Sequence, residues 1–252
     1  MKTFYFTATG NSLHVAKKIG GELLSIPRML KEKRFKFEDE AIGFVYPCYG
    51  FGLPRLVEEF ILKSEFKADY FFAVMTYGNM SGNGLRYLEK TAAKAGVKFN
   101  YANEILMTDN CLHVFDMEKQ LEKEDGKNIE PNIYLIESDV KLRKNYIKRK
   151  SLLVNLLSKP VNFYVKRMVD DIDKNFIVGD NCTKCAICSK VCPKNNIVIK
   201  EKPRYLHKCD YCMACAQLCP ANAIRHKKEK NQTRFKNYNI TLNEIIAANN
   251  QI

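Results

Sequence analysis

Apolar residues in the first hundred positions alternate between two rhythms. A short β-branched and aromatic run, KTFYF (2–6), gives way to T7-A8-T9-G10-N11-S12, after which Leu13, Val15, Ala16, Ile19 and Leu23 recur at helical spacing. Continuous apolar runs follow at 41–47 (AIGFVYP) and 70–76 (YFFAVMT), as expected of parallel strands buried on both faces. Each run ends in a loop of aromatics and glycines, C48-Y49-G50-F51-G52-L53-P54 and then Y77-G78-N79-M80-S81-G82-N83-G84. Helices are predicted near 54–63 and 84–95. Strand, turn and helix in repeated succession predict an α/β domain with a doubly wound parallel sheet. In such a sheet the loops at the strand carboxyl ends converge on one crevice.

Farther along the pattern thins. KEDGKNIEPN (123–132) reads as a solvated loop containing a turn. KLRKNYIKRK (141–150) carries six basic residues and no acidic one. Leu142, Tyr146, Ile147, Leu152, Leu153 and Leu156 predict a helix there, with its basic face in solvent. Asp170, Asp171 and Asp173 read as an acidic turn ending a helix or linker, and TLNEIIAANN (241–250) as a short closing helix. No apolar run is long enough to span a bilayer. The N-terminus has no apolar signal core, so the expected location is cytoplasmic, without membrane insertion.

Composition changes the picture at one point. Eight of the ten cysteines lie between Cys182 and Cys219; only Cys48 and Cys111 stand outside. Without a secretion signal this is not a disulfide framework. It reads as a cofactor module appended to the α/β half. Cys48 and Cys111 read as small buried hydrophobes, with Cys48, in a loop of the crevice, the one placed for thiol chemistry.

CTKCAICSKVCPKNNI from Cys182 aligns without a gap on CDYCMACAQLCPANAI from Cys209, at a period of 27 residues. The spacing, C-x2-C-x2-C-x3-C-P twice, is that of bacterial two-cluster ferredoxins. Three thiolates of one tight loop reach three corners of a cubic cluster; the fourth corner is filled by the last cysteine of the other repeat. Cys182, Cys185, Cys188 and Cys219 are therefore assigned to one [4Fe–4S] cluster, and Cys192, Cys209, Cys212 and Cys215 to the second. Zinc sites more often use two separated pairs of ligands. So small a domain needs its clusters as staples. The formal charge of +13 and pI near 9.2 overstate the loaded protein's charge, because each oxidised cluster with its thiolates carries roughly −2.

The first turn resembles the flavodoxin phosphate loop T/S-x-T-G-x-T/S, and the next two loops stand where flavodoxins hold the isoalloxazine ring. With the cysteine repeats, the chain resembles the flavodoxin–ferredoxin fusion proteins of anaerobic bacteria and archaea. That resemblance implies a flavodoxin-like domain (1–158), a linker (159–179), an α+β two-cluster ferredoxin domain (180–226) and a C-terminal tail (227–252). It implies FMN, its phosphate held by Thr7, Thr9, Gly10, Asn11 and Ser12. Tyr49, Gly50, Phe51, Tyr77, Gly78 and Asn79 would line the ring. The chain has no Trp, so Tyr or Phe must stack on the ring. The flavin contact after residue 100 is placed only loosely, near Asp109 and Asn110.

The expected function is electron transfer between two [4Fe–4S] clusters and FMN, and on to a redox partner protein, an acidic one if it docks on the basic surface. The alternative is a flavin-dependent reductase fed by its own ferredoxin domain, with Asn110, Tyr77 or His113 as the positioned donor. No G-x-G-x-x-G follows a strand, and nothing in the first half resembles a nucleic-acid-binding motif, so no nucleic-acid partner is expected.

Overall fold

The computed structural model describes residues 1–151, 154, 158, 160 and 172–250. The expectations placed on Leu152, Leu153, Leu156, Asp170 and Asp171 lie outside the described residues.

The three predicted strands join three others in one parallel sheet, and Leu23, read at helical spacing, lies in a strand. β1 (Lys2–Tyr5) lies between β2 (Glu22–Ser25) and β4 (Ala41–Pro47); β6 (Tyr70–Tyr77), β7 (Tyr101–Leu106) and the short β8 (Tyr146–Ile147) extend it, in the order β2-β1-β4-β6-β7-β8. The order reverses direction between β1 and β4, and there a doubly wound sheet opens its ligand crevice. The fold is flavodoxin-like α/β. Helices α1 (Asn11–Ile19), α2 (Ile26–Lys31), α3 (Arg55–Lys63) and α4 (Gly84–Lys94) are the crossovers. A separate parallel pair, β3 (Lys36–Glu38) with β5 (Glu65–Lys67), brings Phe37 and Phe66 beside Phe4, Phe44 and Phe60. Their rings lie 4.6–5.8 Å apart, edge-to-face, stacked or tilted.

Beyond the sheet, α5 (Met117–Glu122) and α6 (Ile129–Lys141) follow β7. The stretch 123–132 is largely exposed and contains a turn, as expected, but it is not all loop: the turn is 3-10, α6 begins at Ile129, and Lys127 is buried, donating to the Met107 carbonyl at 2.9 Å and to Gln120 at 3.4 Å. Contrary to expectation, 142–150 is not helical. Arg143 adopts a left-handed backbone (φ 48°) just past the end of α6, and Tyr146–Ile147 instead pair with Tyr101–Ala102 as the edge strand β8. The basic residues there are matched by carboxylates: Lys144 with Asp139 at 2.6 Å, Arg143 with Glu40 at 2.8 Å, Arg149 with Glu89, and Lys150 with the buried Glu104 at 2.5 Å.

The cysteine segment repeats in space as it does in sequence. β9 (Phe176–Val178) pairs antiparallel with β12 (Ile224–His226), and β10 (Ile197–Ile199) with β11 (Pro203–Tyr205); one-turn helices α7 (Ile187–Lys190) and α8 (Ala214–Gln217) follow the three-cysteine loops. Left-handed residues recur in step: Lys184 and Tyr211, Ala186 and Met213, Asn195 and Asn222. Such backbone costs a non-glycine residue roughly 1–2 kcal/mol, so both loops carry strain at the same steps.

The chain then returns to the sheet domain. Residues expected as a tail supply core instead: Ile240, Ile245 and Ala248 are buried against it. The Asn237 amide donates to the Thr9 carbonyl and Asn249 Nδ2 to the Thr7 carbonyl, both at 2.8 Å. The closing helix α9 (Leu242–Asn249) starts in a capping box of Thr241 and Glu244. Among the described residues no helix is long and apolar enough to cross a membrane.

Candidate functional site

The loops after β1, β4 and β6 meet at one crevice, joined by residues 108–115 after β7 and by the second cysteine repeat. The cavity measures about 500 Å³, within the usual range for small-molecule and cofactor sites.

Each loop is held in place by particular atoms. In the first, Thr7 Oγ1 accepts from the Gly10 amide at 3.1 Å, Ser12 Oγ meets Thr76 Oγ1 at 2.9 Å, and Asn11 Nδ2 donates to the Thr108 carbonyl at 2.8 Å. The first amides of α1 have no side-chain cap, which leaves them to an anion. The second loop is a tight turn: Tyr49 and Gly52 exchange backbone hydrogen bonds at 3.1 and 2.9 Å, and Gly50 and Phe51 between them have φ of 52° and 63°. Positive φ at both central positions defines a type I′ turn, and Phe51 is the residue that pays for it. The third loop passes Asp109 so closely that a Cβ on Gly78 would lie 2.2 Å from an Asp109 carboxylate oxygen. Only glycine fits.

Of the residues predicted to bind the cofactor, Thr7, Thr9, Asn11, Ser12, Tyr49, Gly50, Phe51, Tyr77, Gly78 and Asn79 all line the cavity. Gly10 does not. It faces the returning C-terminal segment, where a Cβ would meet Asn237 at 2.8 Å and Ile240 at 3.1 Å; its left-handed φ of 107° shapes the turn. Asn110 lines the cavity and joins the two halves: its Nδ2 donates to Thr9 Oγ1 at 3.1 Å, and its carbonyl accepts from Gln217 Nε2 at 2.7 Å. Cys48 and Cys111 line it too. Burial pushes both thiols up to about 12, with Asp109 adding to the effect on Cys111, so both are protonated at neutral pH.

Of the far wall, the sequence points to His113 alone. The wall comes from Asp210, Tyr211 and Met213 of the second cysteine repeat, with His113, His226 and Lys228. Asp210 Oδ2 accepts from the Leu56 amide at 3.2 Å, supplying α3 with the N-terminal acceptor that Pro54 lacks. Tyr211 O–H lies 2.8 Å from His226 Nε2, and His113 stacks at a tilt against Tyr211, 4.7 Å between centroids. Burial lowers both imidazoles, His113 to about 4. The histidines show no ligand spacing in the sequence.

Sulfurs of each repeat have neighbours from the other. Burial, followed by Cys219, Cys182 and Cys185 as neighbours, pushes the Cys188 thiol up to about 12. Burial and then Cys209 and Cys192 push Cys212 up, and Cys209 is raised by burial, Cys215 and Cys192. Backbone amides point at sulfur in both repeats: Asn196 N to Cys192 Sγ and Ala223 N to Cys219 Sγ, each 3.3 Å. Among the described residues, no three His, Cys, Asp or Glu side chains gather closely enough to hold a single metal ion.

Residues 205–225 match the 4Fe–4S binding domain family, so the second repeat is an iron–sulfur segment serving at least one cluster. No curated protein matches the chain by sequence. Among solved structures it is similar to a candidate flavoprotein from Bacteroides uniformis (15% identity, 48% of this chain and 94% of that one, TM-score 0.32). Another from Bacteroides eggerthii shows 20% identity over 51% and 98%, with a TM-score of 0.31. The Trp repressor binding protein of Bacillus subtilis shows 14% identity over 60% and 99%, with a TM-score of 0.34.

Proposed function

We propose that the chain is an electron-transfer protein that relays electrons between two [4Fe–4S] clusters and an FMN held in the crevice, and passes them to a redox partner. The observation that carries this reading is the composition of the crevice wall. Flavodoxin-type loops form one side and the second cysteine repeat the other.

The residues present fit both groups. Asn11 and Ser12, at the uncapped start of α1, with Thr7 and Thr9, form a phosphate site without an acidic side chain. Tyr49, Gly50, Phe51, Tyr77, Gly78 and Asn79 would line the ring; Gly10 shapes the phosphate turn. Cys182, Cys185, Cys188 and Cys219 would hold one cluster, and Cys192, Cys209, Cys212 and Cys215 the other. Tyr49 lies between crevice and cysteines: its buried hydroxyl has no hydrogen-bond partner among the described residues, and Cys212, Asp210, Cys111 and Cys209 surround it. A donor so placed suits a cluster sulfur. Clusters pass electrons singly, whereas a flavin can store two; the protein supplies orientation, burial and hydrogen bonds.

The cluster of the second repeat would be proximal to the flavin and that of the first repeat distal. Cys185 is exposed, flanked by exposed Lys184 and near exposed Lys190. An acidic partner would dock there rather than on 141–150, whose charges are matched.

Anaerobic purification with iron, sulfide and acid-released flavin assays tests the reading. About eight irons and one FMN per chain are expected. Eight irons with no flavin, even after reconstitution, would remove the FMN assignment; four would remove one cluster.

A further inference from the structure

The wall that Tyr211, His226 and Lys228 contribute to the crevice is not needed by a simple relay. The Lys228 backbone amide donates to His226 Nδ1 at 3.1 Å. An amide can only donate, so Nδ1 must carry a lone pair, and the imidazole is neutral with its proton on Nε2. That Nε2–H faces the Tyr211 oxygen at 2.8 Å, so Tyr211 accepts there and its own hydroxyl proton is left to donate elsewhere. Among the described residues it has no other partner.

Donors prevail around it. Lys228 is exposed at the same wall and has no carboxylate within ion-pair distance among the described residues. The nearby carboxylates are engaged: Asp109 with the Cys111 amide at 2.8 Å, Asp210 with the Leu56 amide at 3.2 Å, and Glu229 with the His226 amide at 3.1 Å and the Arg225 guanidinium at 2.6 Å. The surface between is aromatic, with His113 at 4.7 Å from Tyr211 and 5.2 Å from His226, centroid to centroid. A hydroxyl donor and an ammonium beside three rings match a flat carboxylate, whose oxygens take the donors while its unsaturated body lies on the rings.

We propose that this end of the crevice binds a small aromatic or unsaturated carboxylate, with Tyr211 O–H and the Lys228 ammonium as its donors and His226 as the residue that orients Tyr211. The site goes beyond the relay and belongs to the chain whichever cofactor fills the other end.

Benzoate is the probe. Anaerobic isothermal titration of the full chain with its cofactors is expected to show one saturable site per chain, with benzamide weaker. Tyr211→Phe keeps the ring and should weaken benzoate about tenfold, the value of one hydrogen bond to a charged group. Lys228→Ala, an exposed substitution, should weaken it several-fold and flatten its salt dependence. Iron and flavin are assayed in every sample. A wild-type chain that does not titrate, or an affinity that either substitution leaves unchanged, overturns the proposal. Full iron without flavin, together with an intact Tyr211- and Lys228-dependent titration, overturns the FMN assignment alone.

Discussion

The two cysteine repeats share a backbone and differ in what surrounds it. Lys184 and Ala186 in the first, Tyr211 and Met213 in the second, adopt the same left-handed conformations at the same steps. Yet Cys185 is exposed where its counterpart Cys212 is buried, and the lysine of the first loop faces solvent where Tyr211 lines the crevice. Ligand geometry was thus duplicated, while environment diverged. Reduction potential follows burial, hydrogen bonding and solvent access as well as cluster type, so one loop can serve as an outward port and the other as an inward contact.

Cysteine substitutions test this contrast most severely. Cys219→Ala is expected to damage the cluster of Cys182, Cys185 and Cys188, and Cys192→Ala that of Cys209, Cys212 and Cys215. Iron content and electron paramagnetic resonance of each reduced variant would read this out, and losses within rather than across repeats would sink the crossed assignment. Next in size is Gly78→Ala. Its methyl has no room beside Asp109, and overpacking of this kind costs about 1–3 kcal/mol. Denaturant unfolding should show the loss, along with reduced flavin content. Asp210→Ala removes the acceptor at the start of α3, a cost of about 1 kcal/mol. Its equivalent in the first repeat, Thr183, can be changed to Ala as the control that should not respond. Tyr49→Phe should lower the potential of the proximal cluster by on the order of 40 mV and leave the distal one unchanged; equal shifts would mean the two environments are not distinct.

The smallest effect is in the closing helix. Hydrogen bonds from Lys17 and then from Thr241 hold the Glu244 carboxyl at about 2, below its model-compound value of 4.5. A depressed carboxyl stabilises the fold above its unfolded value and loses that contribution as pH falls. Helix α9 should therefore loosen between about pH 4.5 and 2, by a few tenths of a kcal/mol for so exposed a pair. Hydrogen exchange over residues 242–249 would detect it, and Glu244→Gln should abolish the pH dependence.

The sequence made visible whatever is local or repeated. The apolar runs at 41–47 and 70–76 became β4 and β6, and the segments near 54–63 and 84–95 became α3 and α4. A phosphate-type turn is local chemistry, so ten of its and its neighbours' eleven predicted residues line the crevice. The misses depend on long-range partners. Asp210 caps a helix 154 positions away, and Gly10 is covered by residues more than 220 positions on. Basic residues at 141–150 found carboxylates on other elements, which hydrophobic spacing cannot reveal. Tyr211 sat inside a cysteine motif whose spacing concealed its second neighbourhood.

The strap formed by Asn237–Asn249 has a consequence for folding. The turn before α1 is tied to it through the Thr9 and Thr7 carbonyls, the second of these across 242 positions of sequence. Contacts of such separation carry the full entropy of loop closure and are slow to form, so this turn should be among the last parts of the sheet domain to become rigid during folding.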